Sequence, residues 1–575
     1  MRRAAVGGLA LVLAAVLLTP AAHGAKGPKD AIRLGPLAGP ADAHFAIVGS
    51  RRNLTGKRYR VVAGGDVVAR GKLKKAQGSP SPWRHGARAD LSGVEAGGPF
   101  KVKVGALFSP QFRVDPSAAS ALVARLGSIF RVNADGAEPN PAFGPAHLND
   151  AAAPIVGGPA NGGTIDVAGG WRDAGDAIKF TYTIAMSSVI LDYAAAMDPA
   201  NAASLRALSD IGVRYLVKAH PAGSQTFIAQ VSGASDHAGG FRDFAADDAS
   251  PDPAFSHRKA YGDAGSGSLG AGAAALASAA LREGPATVRG QQLLALAGEW
   301  YQRGKAVAGA GPVLEGFAQP GGESFSDWQG FMALAAALLH RAGAGDANGD
   351  PYLTDAIAFL NASPVEGGFS PYFTVGGLAA ADLCGGLALP AVGRADARAA
   401  ACAKLREAAE GAAFRARLNA FGSPGGFYFG WASDHGGSGA LLAAADRAGQ
   451  FAGGRAMAAA ARDYLLGRNP WGTSFLVGPG RREAKDPHHA VFLKGTPATL
   501  GNGFVVGGPA ILSQFADFGL TFEADGPYAK FNPTYRDDLY REKVVYEDRR
   551  PNFITSEVGL AYSASAMLLA AMLAG

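Results

Sequence analysis

At Asp115-Pro116-Ser117 the hydrophobic period of this chain changes, and that change divides what it can fold into. Before it, from Ala31 to Val114, short runs alternate apolar with polar residues. "YRVVAGGDVVARGKL" reads as two strands about a Gly-Gly-Asp turn, and "PFKVKVGALFSPQFRV" as two more. No helical period survives there for more than a turn, which predicts a small antiparallel β-sandwich of about 85 residues. After it, apolar residues recur at three and four: Leu205, Leu208, Ile211 and Tyr215 mark one stripe, and "DWQGFMALAAALLHRAG" and "EVGLAYSASAMLLAAML" mark others. Roughly a dozen such segments follow, alanine-rich and separated by long Gly/Pro loops of the kind that carry function. Helices without strong strands between them fit a helical barrel or toroid better than a parallel α/β sheet. With no repeat of fixed period, a solenoid does not fit.

The chain of 575 residues, 48% hydrophobic, can bury a sizeable core. Arg2 and Arg3, the apolar run Ala4 to Leu18 and the small-residue site Ala22-His23-Gly24 read as a secretory signal, residues 1–24, cleaved before Ala25. That run and Ala564–Leu573 are too short to span a membrane. A soluble protein without a membrane anchor, secreted or periplasmic, is the expectation. The formal charge of +6 is mild, and the basic residues look scattered apart from a cluster including Arg51, Arg52, Lys57, Arg58, Lys72, Lys74 and Lys75. Nucleic-acid binding, which needs a dense basic face interleaved with aromatics, is not expected. Cys384 and Cys402 could pair in an oxidising compartment, but spacing does not decide it.

"GGWRDAGDAIKF" places Asp173 and Asp176 three residues apart, with Gly175 permitting a tight turn that would let both hold one water. The plainer alternative is a pair of carboxylates at the N-terminus of the helix that follows. Glu557 in "YEDRRPNFITSEVGLAYSAS" begins the last apolar helix, where partial burial would raise its pKa for use as an acid; a capping box with Thr555 or Ser556 is the alternative. Adjacent His488 and His489 in "DPHHAVFLKG" would point in opposite directions on an extended loop, which suits hydrogen bonding to a polar substrate better than zinc. "GSGSLG" satisfies a dinucleotide glycine spacing, but the preceding "RKAYGDA" reads as no strand and 81 glycines produce such matches by chance. "GGSGA" around Ser438 lacks the last glycine of a nucleophile elbow. Trp171, Trp328, Trp431, Trp471 and Phe427-Tyr428-Phe429 lie in or beside Gly-rich loops. They are either core residues or the stacking surfaces of a sugar cleft.

In order along the chain, these pieces resemble glycoside hydrolase family 9, inverting β-glucanases with an (α/α)6 barrel. "GGWRDAGDAIKF" looks like the family signature Gly-Gly-Trp-x-Asp-Ala-Gly-Asp-x-x-Lys-Phe. "RYLVKAHP", "QVSGASDH", "HRKAYGDAGSGS", "GAGAAALASAA", "GDANGDPYL", "YLLGRNPWGTSFLVGPG", "DPHH", "VVGGP" and "YEDRRPNFITSEVGLAYSAS" follow in the family's order. The resemblance covers residues 116–575. Residues 25–115 are similar to the immunoglobulin-like domain that precedes the catalytic domain in one branch of the family. The resemblance implies that Asp176 is the general base, that Asp173 helps hold the attacking water and that Glu557 is the general acid. Acid and base would stand about 6.5–9.5 Å apart on opposite sides of the bond. It also implies that His488 hydrogen-bonds the sugar, with Trp171, Trp328, Trp431 and Phe553 as further substrate-binding candidates. No cofactor or metal is required, structural calcium or zinc stays open, and a monomer is expected.

The chain departs from the family pattern at four places. Ala490 stands where Pro-His-x-Arg has Arg, Asn552 and Phe553 replace Asp-Tyr, Ser556 replaces Asn before the acid, and Ala177 follows the base. Catalysis would be kept with altered sugar contacts, Arg481, Arg482 or Lys494 partly replacing the lost guanidinium. The leading expectation is hydrolysis of β-1,4-glucan such as cellulose or its oligosaccharides. The alternatives are an exo-acting β-glucosidase or β-glucosaminidase, for which inward-facing Asp236, Asp243 or Asp327 would speak, and a non-catalytic carbohydrate-binding protein.

Overall fold

Ten of the barrel helices pair in sequence order as five hairpins, because short connections leave each antiparallel to the next, and the sixth pair is the last long helix against the first. A computed structural model describes residues 28–262, 264–310, 327–344, 350–364, 374–522, 535–537 and 542–575. The expected leader and residues 345–349 of "GDANGDPYL" lie outside them. In chain order the barrel helices are α1 (Ala118–Leu126), α2 (Thr181–Met197), α3 (Ala202–Ala219), α4 (Ser266–Glu283), α5 (Val288–Ala306), α6 (Trp328–Arg341), α7 (Pro351–Ala362), α8 (Gly376–Cys384), α9 (Ala395–Leu418), α10 (Trp431–Arg447), α11 (Gly454–Leu465) and α12 (Leu560–Ala574). The ring closes where α12 packs on both α2 and α1. Helices α2, α4, α6, α8, α10 and α12 form an inner ring and the other six an outer one, the (α/α)6 barrel.

Composition decides which ring a helix joins. Residues Ser266 to Ala280 of α4 are all buried, and α12 is buried from Tyr562 to Leu573, so these helices are apolar or small on every side. Small residues let backbones meet: a Cβ on Gly436 of α10 would stand 2.7 Å from the backbone of Ser565 and Ala566 in α12. Outer α3 instead buries one stripe, Leu205, Leu208, Ile211 and Tyr215, as its period predicts. Cys384 at the end of α8 is disulfide-bonded to Cys402 in α9, a pairing that spacing had left open.

The N-terminal strands form two facing sheets. One runs β1 (Ala31–Arg33), β3 (Phe45–Ser50), β7 (His85–Asp90), β6 (Lys74–Lys75); the other runs β2 (Leu37–Ala38), β10 (Phe112–Val114), β8 (Gly97–Val104), β4 (Arg58–Ala63), β5 (Asp66–Lys72), with β9 (Leu107–Phe108) beside β8. Val48, Val61, Ala87, Val102 and Phe112 fill the space between them. Phe45, Ile47 and Trp83, on the other side of the first sheet, join the core of the helical body. Charge is buried at that junction: His44 Nδ1 lies 2.7 Å from Asp463, Arg462 pairs with Asp42 and Asp463, and the Arg468 guanidinium sits 3.7 Å over Phe45.

Because the inner helices run parallel, their N-termini gather at one end of the barrel. A small sheet stands there, ordered Thr164–Ile165, Ala153–Val156, Ala260–Tyr261, Gln230–Val231, Lys179–Phe180. Ala260–Tyr261 lies within "RKAYGDA", so that segment does hold a two-residue strand, contrary to expectation.

Candidate active site

Three remote segments are stitched together at this end. The Leu560 N–H donates to Asp173 O (2.9 Å), Ala490 N–H to Gly175 O (3.2 Å) and His488 N–H to Ser556 O (2.8 Å). The 169–180 loop, the 488–490 segment and the segment bearing Glu557 therefore share one backbone network. Asn133 secures it from below: its amide donates to Arg172 O and Ala174 O, and its carbonyl oxygen meets His489 Nε2 at 2.9 Å. His489 thus faces the interior and His488 the cleft, opposed as an extended loop requires.

Asp173 and Asp176 are half-buried and precede α2 by eight and five residues, with strand Lys179–Phe180 between, so neither caps that helix. Gly175 is required for a reason other than its turn. Its φ is not left-handed, but an added Cβ would stand 2.7 Å from His488 O and 2.8 Å from His489 Cα. Beneath the loop, Lys179 donates to Asp150 (2.7 Å) and lies 3.2 Å from Asp135, while Arg258 pairs with both and donates to Ala177 O. Burial alone would push Asp135 up, but His147, Lys179 and Arg258 outweigh it and hold that carboxyl well below the usual range. The floor is a closed ion cluster that fixes the chain on both sides of Asp176.

The electrostatics separate the carboxyls. Burial raises Glu557 to about 8, against the hydrogen bond from Tyr562 Oη (2.8 Å) and with help from the charges of Asp173 and Asp176. Burial likewise raises Asp173 to about 7, opposed by a hydrogen bond from Thr183. Asp176 Oδ2 lies 2.7 Å from His237 Nδ1, and that hydrogen bond raises the pKa of His237. Burial lowers His488, whose Nδ1–H donates to Arg550 O (2.7 Å), so the ring is neutral and Nε2 is an acceptor. The set places a carboxyl raised by burial near one held by a histidine, a division that acid/base chemistry can use.

The alternative capping box at Glu557 does not form, because the Thr555 and Ser556 hydroxyls both donate to Glu547 O at 2.8 Å. Trp171 and Trp431 are not stacking surfaces. Trp171 is 0% exposed, edge-on to Phe130 beneath Gly212, and Trp431 is 1% exposed between Phe427, His435 and Gly508. Both rings are covered on their faces, so no sugar can reach them. Trp328 begins α6 on the same rim and is half-buried against Phe359; Phe553 is half-buried, 6.0 Å from His488. Phe241, 4.6 Å from His488, and Phe492, 5.7 Å from Phe241, complete an aromatic wall. Lys494 pairs with Asp243 close to that wall, whereas Arg482 turns toward Gly472. Asp236 is bound by Arg242, and Asp327 accepts the N–H groups of Gly330, Val375 and Gly376 as a cap, so neither carboxyl is free in the cleft. Sequence reading missed His237, Tyr562, Thr183 and Phe241. His237 and Tyr562 lie inside family-like motifs, but nothing local marks His237, whose partner is 61 positions away, and Tyr562 meets Glu557 only through the fold of the turn between them. "GSGSLG" is the buried first turn of α4, and Ser438 lies inside α10, bonded to Asp434. Among the described residues no three His, Cys, Asp or Glu side chains converge as a metal set.

Carboxyls in separate environments at one end of an (α/α)6 barrel suit glycoside hydrolysis, and the sequence family decides the class. The sequence pattern described as Glycosyl hydrolase family 9 matches residues 124–570. The chain belongs to that family. "Endoglucanase 21" of Oryza sativa subsp. japonica is 31% identical over 377 residues, 56% of this chain and 67% of the rice protein. Among solved structures, AaCel9A in complex with cellobiose-like isofagomine superposes with a TM-score of 0.74 at 18% identity, covering 95% of this chain and 99% of that one. A metagenome-derived glycoside hydrolase family 9 endoglucanase gives 0.74 at 21% identity with the same coverage.

Proposed function

We propose that the chain is exported and, as a monomer, hydrolyses β-1,4-glucosidic bonds of a glucan or its oligosaccharides with inversion. Asp176, held by His237, takes a proton from water as that oxygen attacks the anomeric carbon; Asp173 shares the same water. Glu557 gives its proton to the departing glycosidic oxygen as the C–O bond breaks, so Asp176 ends protonated and Glu557 ionised. His488 Nε2 accepts from a sugar hydroxyl beside the bond. What carries this reading is that Glu557 is buried with Tyr562 as its partner, close enough to Asp176 to feel its charge, while Asp176 keeps a histidine partner. With Ala490 replacing a guanidinium and Phe241, Phe492 and Phe553 lining the wall, stacking and apolar contact replace part of the polar grip on the sugar. Paired Asp236, Asp243 and Asp327 give an amino sugar no free acid. Proton NMR of cello-oligosaccharide hydrolysis should show the α anomer first, and Asp176→Asn should lower kcat by about 10²–10⁴-fold. An initial β anomer would overturn the mechanism.

A further inference from the structure

The mild net charge hides a division between the two parts of the chain. Residues 28–115 hold sixteen Lys and Arg against six Asp and Glu, whereas residues 116–575 hold thirty-five against forty-two. Strand pairing then gathers six of the sandwich's cations, Arg58 and Lys72 of the sequence cluster among them, onto one face. Arg58 stands opposite Lys72, Arg60 stands between Arg70 and Lys103, and Lys101 is opposite Val62. Buried Tyr59, Val61 and Val102 alternate with them, so these six cations share the outer face of the second sheet, five exposed and Lys103 half-buried. Among the described residues the only Lys or Arg ion pair within the sandwich is Arg51 with Asp30, so none of the six is neutralised. Like charges directly opposite weaken an antiparallel pair, and this sheet has three such pairings in neighbouring strands. Folding gains nothing from them. The first sheet's outer face is spent on the helical body through Phe45, Ile47 and Trp83, so the basic face is directed away from the barrel.

We propose that this face binds an acidic polysaccharide, with the carboxylates of successive sugars against the cation rows. Strands about 4.8 Å apart set those rows across the sheet, a flat array suited to a linear chain charged on every residue. Phe108, 52% exposed and 5.0 Å from Lys103, gives one apolar contact but no stacking platform for single-stranded nucleic acid. The choice of a glycan over other polyanions rests on the glycan-cleaving reading of the barrel.

Affinity electrophoresis of the mature protein through polygalacturonate tests the proposal. The protein should be retarded, with affinity falling about tenfold from low to physiological salt. The triple variant Arg60→Gln, Arg70→Gln, Lys103→Gln should lose affinity about tenfold while keeping its melting temperature and its turnover of cello-oligosaccharides, and the independent pair Arg58→Gln, Lys72→Gln should weaken binding in the same direction. Absence of retardation, equal retardation of the triple variant, or tighter binding to duplex DNA or phosphatidylserine vesicles at matched charge would overturn it. Binding of polygalacturonate without cello-oligosaccharide cleavage would sink the proposed substrate and leave this surface standing.

Discussion

Glu557 shows how burial sets a working proton at the scale of one residue. In the folded chain it titrates near 8, and unfolded near 4.5, so between those values the folded state holds a proton that the unfolded state has released. Stability must therefore fall as pH rises through that window. Glu557→Gln is expected to melt higher than the wild type at about pH 8, with the difference vanishing at about pH 4 in paired calorimetric scans, while turnover is lost. The alkaline limb of kcat/KM should lie near 8, because in the proposed mechanism Glu557 must be protonated. Tyr562 donates to the ionised form and lowers that value, so Tyr562→Phe should move the limb to higher pH. Asp173→Asn removes a like charge and should move it lower. A pH–rate series on the three proteins checks both directions. The acidic residues themselves were visible in the sequence. The sequence also offered burial as a reason for a raised Glu557, but not the Tyr562 hydrogen bond or the Asp173 charge that tune it.

At the scale of the element, the site is an agreement among short segments. Gly175 illustrates this: the sequence suggested freedom of turn, whereas the structure requires empty space for the 488–490 segment. Gly175→Ala should leave the circular dichroism spectrum unchanged and lower kcat/KM about 10²-fold, the cost of a shift of about 1 Å in reacting groups. The α8–α9 disulfide closes a separation of 18 residues, and the double serine variant should lose about 3 kcal/mol in denaturant unfolding. Helices and strands were legible because each has its own period. The misplaced aromatics were not, because a Trp beside glycines reads the same whether glycine opens a cleft or, as Gly212 does over Trp171, makes room for the ring in a core.

Across the whole molecule, the sandwich and the barrel are joined through buried charge. Asp463 is pushed up by burial, but Arg462, His44 and Arg468 hold it far below the ordinary carboxylate range. Asp463→Asn would leave Arg462 and Arg468 buried without full compensation, and should cost about 3–5 kcal/mol in chemical denaturation. The basic sheet belongs to this scale too, since Lys and Arg spread over residues 58–103 become one surface only when strands pair. By itself, the sequence determined the change from β to helical period, the ordered motifs and the carboxylates on which the proposed chemistry rests, since these are local patterns of residue type. Only the tertiary structure decided that Asp176 has a histidine partner, that Trp171 and Trp431 are core and that one sandwich face is basic. Burial, hydrogen-bond partners and charge density are properties of neighbours in space, and those neighbours are tens to hundreds of residues apart along the chain.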